Sequence, residues 1–201
     1  RSLNQEDNGR STKCIHPSSF AISPCDREIA YDLVGTRQVR SIAPHLRRIF
    51  DAGHAVHDAL QKAMHLADPD FRDEVKVRHD GLHIKGSCDG VLGEVGYEIK
   101  SIGEKGFDKL GSAKADHKRQ ATLYAAILEL KEVVYLYANK ERGELLTFSN
   151  PLNLQTWHRM AARAERIIRT VEGGGMPPKN KCGRCSMCSY EWTCKPEKED
   201  G

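Results

Sequence analysis

The pattern of apolar and polar residues is clearest in the middle of the chain, at residues 82–101. Leu82, Ile84 and Gly86 alternate with polar residues, as in a strand with one buried face. Three glycines, at positions 90, 93 and 96, then interrupt the alternation, as a tight turn or a bulge does. A second alternating stretch follows them, so the pattern predicts a β-hairpin.

The second strand of this hairpin carries charged residues on one face. Side chains alternate along a strand, so Glu98 and Lys100 share a face, and the hairpin brings Asp89 beside them. Neighbouring carboxylates repel each other unless a cation lies between them, and their oxygens are the ligands that Mg²⁺ and Mn²⁺ prefer. The alternative is a solvent-exposed hairpin face on which Glu98 and Lys100 form a surface ion pair.

Apolar residues at helical spacing predict long helices on both sides of the hairpin. One helix covers about residues 44–66 and has a single buried face, formed by Leu46, Ile49, Phe50, Gly53, Val56, Ala59, Leu60 and Met64. His57 lies on it and could point its ring into a cleft. A second helix covers residues 117–131, with Asp116 as a possible cap and with Gln120 and Tyr124 one turn apart. A third covers Leu154–Val171.

Further strands are predicted at Phe71–Arg78, Val133–Ala138 and Leu145–Phe148. The first extends the hairpin to a three-stranded antiparallel unit, and the other two form a second hairpin. Near the N-terminus, Ser23 and Pro24 are typical of a helix start, and Gly35 is typical of its end. Cys25 lies at this helix start, where backbone N–H groups favour a thiolate.

The composition narrows the class of protein. A chain of 201 residues fits one domain, and the net charge of +3 gives no overall basic field, so any contact with nucleic acid depends on local patches. One such patch contains Arg37, Arg40, Arg47 and Arg48, which form either a solvated loop or a phosphate-contacting one. We expect a cytoplasmic protein, because no apolar run is long enough to span a bilayer.

Cysteines are concentrated at the end of the chain. Four of the seven, Cys182, Cys185, Cys188 and Cys194, lie within the last twenty residues. Such tight C-x-x-C spacing favours a metal centre over a set of disulfides. The spacing is compatible with zinc and with a [4Fe–4S] cluster, since both take four thiolates.

The order of these residues along the chain resembles the iron–sulfur branch of the PD-(D/E)xK nuclease superfamily. This branch includes RecB-like CRISPR-associated exonucleases, AddB-type nuclease domains and phage exonucleases. The resemblance covers about residues 14–196, and Gly86-Ser87-Cys88-Asp89 resembles the G-x-x-D motif of RecB-like members. Cys88 stands where other members of the superfamily have proline.

The resemblance implies an α/β fold with a restriction-endonuclease-like core, in which a central mixed sheet is flanked by helices. Residues 1–201 would form a single nuclease domain, with the nuclease core at 36–176. It further implies that His57, Asp89, Glu98 and the carbonyl of Ile99 hold one or two Mg²⁺ or Mn²⁺ ions. Catalysis would use these carboxylates with three further residues: Lys100 would position or activate the attacking water, while Gln120 and Tyr124 would orient the lysine, the water or a phosphate.

The resemblance also implies a structural [4Fe–4S] cluster ligated by Cys25, Cys185, Cys188 and Cys194. Segments 14–35 and 177–196 would then form one iron–sulfur module. Cys14 and Cys182 compete with this ligand set by their position in the sequence.

The function implied is a metal-dependent DNA exonuclease that acts on single-stranded or frayed DNA ends. Its host would be a bacterial, archaeal or phage-infected cell, and its protein partners would belong to recombination, repair or CRISPR adaptation. Two other functions remain open: a DNA-binding subunit with a degenerate nuclease site, and an interaction module held together by zinc.

Overall fold

A computed structural model describes residues 13–36, 38, 43–180 and 182–194 of the chain. These residues form one five-stranded sheet, helices on both of its faces, and 3₁₀ turns at Asp80–Leu82 and Cys185–Met187. In chain order the elements are α1 (Pro17–Ile22), α2 (Asp26–Val34), α3 (Pro44–Ala67), β1 (Arg72–His79), β2 (Ile84–Leu92), β3 (Val95–Ile102), α4 (Glu104–Phe107), α5 (Ala115–Ile127), β4 (Glu132–Asn139), β5 (Leu145–Pro151), α6 (Leu154–Glu172) and α7 (Glu191–Cys194).

The sheet is mixed, and its strands lie side by side in chain order. β1, β2 and β3 form the predicted antiparallel unit, and β4 and β5 form the predicted second hairpin. β3 and β4 are parallel, and a parallel pair needs a crossover, which α5 supplies. The predicted α/β fold, a central mixed sheet flanked by helices, is therefore confirmed.

The glycines of the central hairpin have two different roles. Gly93 has φ +56° and forms the turn, as predicted. Gly90 and Gly96 instead lie inside the strands. A Cβ atom at Gly90 would lie 2.2 Å from Phe71 Cζ, and one at Gly96 would lie 2.9 Å from Leu130 Cδ1. These two positions therefore lack a side chain because core residues pack against the strands there.

Helix α5 lies between two apolar clusters. Ala121 and Tyr124 pack against the sheet, whereas Leu123 packs into a second cluster with Ile15, Phe20, Leu82, Ile84, Met160 and Ile167. The N-terminal segment thus belongs to the core of the fold. Helix α5 begins at Ala115 after Lys114, so Asp116 lies in its first turn and not at the cap, contrary to the prediction.

Helix α2 begins slightly later than predicted. Its first residue is Asp26 and its N-cap is Cys25, whereas the sequence placed Ser23 at the cap. The Ser23 hydroxyl accepts a hydrogen bond from the Cys25 N–H at 3.1 Å, so it orders the turn that precedes the helix. Gly35 ends the helix with φ +72°, as predicted.

The predicted buried face of α3 is only partly correct. Leu46, Ile49 and Phe50 are 41%, 48% and 51% exposed, and the helix meets the sheet at Gly53, where a Cβ atom would lie 3.4 Å from Ser101 Oγ. The N-terminal half of α3 therefore extends past the sheet. None of the described helices has the length and apolar character needed to cross a membrane.

Candidate active site

Strands β2 and β3 separate where the candidate catalytic residues begin. Gly90–Leu92 pair with Val95–Tyr97, and the pairing stops at Asp89, the residue that precedes Gly90. Asp89 Oδ2 accepts a hydrogen bond from the Ile99 N–H at 2.7 Å. The Ile99 N–H thus donates to a side-chain carboxylate and not to a carbonyl of the neighbouring strand, and this hydrogen bond fixes the Asp89 side chain beside Ile99.

Glu98 is almost completely buried, at 1% exposure, and Lys100 Nζ forms an ion pair with its Oε1. Glu98 Oε2 has no hydrogen-bond partner among the described residues. Burial raises the pKa of Glu98 to about 7, although the Lys100 charge opposes this rise. A buried carboxylate oxygen with no partner is costly, and a bound cation is one group that would offset this cost.

The other charges of the site depend on each other. Burial alone would lower the pKa of Lys100, but the carboxylates of Glu98 and Asp89 raise it above its ordinary value. Burial also raises the pKa of Asp89, against the effects of Lys100 and His57. Lys100 is therefore an ammonium at neutral pH, and it supplies the counter-charge of Glu98.

His57 reaches this group from α3. Its Nδ1 lies 3.7 Å from Asp89 Oδ2, and burial lowers the pKa of His57 more than the nearby carboxylate raises it. The imidazole is thus neutral at pH 7 and keeps a lone pair for a ligand. The structure brings His57, Asp89, Glu98 and Lys100 together, but in the described part of the chain no three His, Cys, Asp or Glu side chains form a ready metal-ligand set.

Gln120 and Tyr124 lie on the α5 side of the same group. Both are buried, and Gln120 Nε2 donates a hydrogen bond to the Tyr124 hydroxyl at 3.3 Å. Burial raises the pKa of Tyr124, and the negative charge of Glu98 raises it further. Tyr124 is therefore a neutral phenol that lies close enough to Glu98 to interact with it.

Gln61 is a residue of this site that the sequence analysis missed. Its Nε2 donates to the Asp89 carbonyl at 2.8 Å and lies 3.3 Å from Glu74 Oε1. Glu74 has φ +44° and does not pair with Asp89, although its neighbours on β1 continue the ladder. Because Asp89 has no partner on β1, its carbonyl accepts a hydrogen bond from the Gln61 amide instead. Gln61 lies four residues after His57, and this spacing could have indicated that both side chains are on one face of α3.

His117 was also missed. Its Nδ1 lies 2.8 Å from the Tyr137 hydroxyl, and Tyr137 is aligned with Lys100 in the β3–β4 pair. The same hydroxyl accepts a hydrogen bond from the Lys114 N–H at 2.9 Å. Burial lowers the pKa of His117 to about 4, and the Lys100 charge adds to this effect. The spacing of three residues from His117 to Gln120 could have indicated that both lie on one helix face.

The four candidate DNA-binding arginines are only partly described. Arg47 and Arg48 are exposed on the N-terminal half of α3. Successive helical residues are rotated by about 100°, so these two side chains leave the helix in different directions. Arg37 and Arg40 lie outside the described residues.

The cysteines of the C-terminal tail lie near α2. Cys182 Sγ and Cys185 Sγ are 4.0 Å apart. Burial raises the pKa of Cys188 to about 11, and Cys25 and Cys194 are close enough to raise it further. Cys25 also interacts electrostatically with Cys185. Cys25, Cys185, Cys188 and Cys194 are thus close enough to influence one another electrostatically, and Cys182 lies beside Cys185, but among the described residues they do not form a ready metal-ligand set.

The two remaining cysteines are buried in the body of the domain. Cys14 is 1% exposed, and its Sγ lies 3.5 Å from His16 Nε2. Cys88 Sγ donates to the Gly90 carbonyl at 3.3 Å, and burial raises its pKa to about 12. Both environments are those of small core side chains.

Tyr190 attaches the tail to α2. It is 2% exposed, its hydroxyl lies 2.5 Å from Asp32 Oδ1, and its ring centroid lies 5.0 Å from that of Tyr31. Arg27 Nε donates to the Pro177 carbonyl at 2.6 Å. Hydrogen bonds and an aromatic contact therefore connect the cysteine tail to α2.

Comparison with known proteins finds similarity in structure alone. No family model and no curated protein matches the sequence. The solved structure titled SSO0001 has a TM-score of 0.60 at 18% identity, and the match covers 92% of this chain and 87% of that one. An alkaline exonuclease from Laribacter hongkongensis, LHK-Exo, has a TM-score of 0.62 at 13% identity, covering 81% and 89%. The chain shares their fold. The complex of LHK-Exo with dAMP matches equally well.

Proposed function

We propose that this chain is a metal-dependent DNA exonuclease that hydrolyses phosphodiester bonds at single-stranded or frayed ends. The observation that carries the proposal is the buried Glu98 carboxylate, which lies with Asp89, Lys100 and His57 at the point where β2 and β3 separate. The fold shared with an alkaline exonuclease, one form of which was solved with dAMP, supports DNA as the substrate.

The donor set fits Mg²⁺ or Mn²⁺. His57, Asp89, Glu98 and the Ile99 carbonyl would hold the ion, and the oxygens favour a hard cation while the imidazole favours Mn²⁺ somewhat. When bound there, a divalent cation supplies neutralisation of the phosphodiester charge and a more acidic water.

Lys100 and the α5 residues would complete the site. Lys100, which forms an ion pair with Glu98, supplies a positive charge and a hydrogen-bond donor. It would hold the attacking water or stabilise the charge that develops on the phosphate oxygens. Gln120 and Tyr124 would orient Lys100, the water or a phosphate through the hydrogen bonds that they still have available.

The cysteine tail is proposed to hold a structural [4Fe–4S] cluster. Cys25, Cys185, Cys188 and Cys194 are neighbouring thiols, and four thiolates are the ligand set that such a cluster needs. Cys182 is a competing ligand because its sulfur lies close to that of Cys185. Zinc would take the same four thiolates, so visible absorbance and elemental analysis for iron distinguish the two centres.

End-labelled DNA tests the proposed function. Single- and double-stranded oligonucleotides are incubated with the chain in Mn²⁺, in Mg²⁺ and in a chelator. We expect progressive loss of nucleotides from an end in the presence of metal, and no loss with the chelator or with Asp89→Asn. DNA that is bound but never shortened would instead indicate a DNA-binding subunit.

A further inference from the structure

The exposed N-terminal half of α3 continues the helix face that reaches the candidate site. Phe50 precedes His57 by seven residues, so the two side chains leave the helix within about 20° of each other and about 10 Å apart along its axis. Leu46 lies one turn before Phe50, on the same face. Because this face extends past the sheet, Leu46 and Phe50 remain about half exposed beside the candidate site.

Basic groups lie next to this apolar surface. Arg47 and His54 project from the flank of α3 that also carries Phe50 and His57, given the helical rotation of about 100° per residue. Asp51 lies one turn after Arg47 and about 40° further round the helix, so it forms an acidic edge of this basic flank. An aromatic ring beside basic groups is the combination that binds single-stranded nucleic acid, because bases stack on the ring while the charges contact phosphates.

We propose that Phe50, supported by Leu46, is a stacking surface for a base of the DNA strand whose phosphate lies at His57 and Asp89. This inference rests on the proposed function and extends it, since it assigns a base-binding subsite next to the phosphate-binding one. Arg47 contacts the backbone phosphate on the same flank, whereas Arg48 projects from the far side of α3 and contributes less.

The size of the surface argues against a second copy of the chain as its occupant. Leu46, Ile49 and Phe50 are each about half exposed, and three such side chains offer far less than the ~800 Å² per partner of a standard protein interface. One or two nucleobases fit a patch of this size.

The test measures DNA binding in an Asp89→Asn background, which removes cleavage. Fluorescence anisotropy gives the Kd of a labelled oligothymidine in Mg²⁺. Phe50→Ala should raise Kd by roughly fivefold to a hundredfold, the range that corresponds to loss of one stacked base. Phe50→Trp should restore binding. Leu66→Ala is the matched control, because Leu66 is 89% exposed at the other end of α3, and it should leave Kd within about twofold.

An oligonucleotide without bases separates stacking from charge. Phe50→Ala should leave the Kd of an abasic strand unchanged, whereas Arg47→Ala should weaken the binding of both strands and reduce the salt dependence more than Arg48→Ala does. Equal Kd values for Phe50→Ala and Leu66→Ala, or equal weakening of normal and abasic strands by Phe50→Ala, would overturn the inference.

Two further outcomes are distinct. Sedimentation of the unmutated chain as a dimer that Phe50→Ala dissociates would make this surface a protein interface and overturn the inference while leaving the proposed function intact. A chain that neither binds nor shortens DNA would overturn the proposed function itself. Circular dichroism confirms that each variant is folded.

Discussion

The two candidate metal centres of this chain are built in opposite ways. The carboxylate site lies on β2 and β3, where hydrogen bonds from neighbouring strands and from Gln61 hold the backbone in place. The cysteine site is formed by a 3₁₀ turn and the four-residue helix α7, and the tail is attached to α2 through Tyr190 and Arg27. The first centre is organised by the sheet itself, whereas the second would depend on the proposed ligand bonds together with these anchors.

This difference predicts what the loss of each centre does. Removing a ligand from the sheet site should stop chemistry and leave the fold unchanged, because the backbone there does not depend on the ion. Removing a ligand from the cysteine site should lower stability, because few other contacts hold the tail.

Asp89→Asn or Glu98→Gln should reduce cleavage more than about 100-fold, beyond the cost typical of residues that only support a metal ligand. Lys100→Ala should also abolish turnover but should keep metal binding, since an ammonium is not a ligand. Cleavage of end-labelled DNA and Mn²⁺ binding by calorimetry are the two measurements. Asp73→Asn is the control, because Asp73 is exposed on β1 next to His65. Near-normal turnover in Asp89→Asn would contradict the nuclease proposal.

Cys25→Ala or Cys188→Ala should remove the visible absorbance of the proposed cluster and lower the thermal midpoint, because only the contacts of Tyr190 and Arg27 would then join the tail to α2. Cys14→Ala should keep the colour, since Cys14 is buried in the core. Cys182→Ala should also keep it. If Cys182→Ala bleaches the protein and Cys25→Ala does not, the cluster is held by the tail alone.

The anchors of the tail allow a sharper version of that experiment. Tyr190→Phe removes the hydroxyl that contacts Asp32 while keeping the ring against Tyr31. In the protein without its cluster, this change should destabilise the tail by about 1 kcal/mol, the usual value of one hydrogen bond. In the protein with its cluster the effect should be smaller. Protease cleavage between Pro177 and Tyr190 is the measurement, and equal effects in both forms would argue against a cluster that joins the two segments.

Gln61→Leu should weaken Mn²⁺ binding by roughly 10-fold to 100-fold. The change removes the hydrogen-bond donor of the Asp89 carbonyl, and this hydrogen bond also holds α3, which carries His57, against β2. The change should leave the α3 helix intact, since leucine is a good helix former. The His57 ring resonances should shift in NMR spectra, which a purely structural role far from the site would not cause. Lys62→Leu, on the exposed neighbouring position, is the control.

The pH dependence of stability should reveal the buried carboxylate. Between about 4.5, its ordinary pKa, and about 7, Glu98 carries a proton in the folded chain but not in the unfolded one. The free energy of unfolding of the metal-free protein should therefore fall as pH rises through this window, by roughly 3 kcal/mol. Glu98→Gln should flatten the curve. Glu94→Gln, at an exposed ion pair with Lys131 on the same hairpin, should not.

The parts of the structure that depend on local pattern could be predicted from the sequence. Alternation placed Glu98 and Lys100 on one face, the predicted hairpin placed Asp89 beside them, and the structure brings the three together. The strands, the two hairpins and the three long helices were also predicted, because each has its own periodicity. Boundaries such as the start of α2 were less accurate, because side chains such as Ser23 can order the turn before the helix.

The remaining features depend on contacts between distant segments. Gln61 meets Asp89 across 28 residues of sequence, and His117 meets Tyr137 across 20. The apolar stripe of α3 correctly indicated a helix, but periodicity does not say what covers the stripe, so the exposure of Phe50 could not be foreseen. The domain limits and the roles of the site residues stay predictions.

The ion pair of Lys100 with Glu98 has a consequence for how the chain exists before it meets an ion. Lys100 supplies a counter-charge for Glu98 from within the chain, so the buried carboxylate needs no ion from solution. The sheet can therefore form with no divalent ion bound at Glu98. A divalent cation held by Glu98 and Asp89 would replace one positive charge with another, and Lys100 would then be available to contact a substrate phosphate.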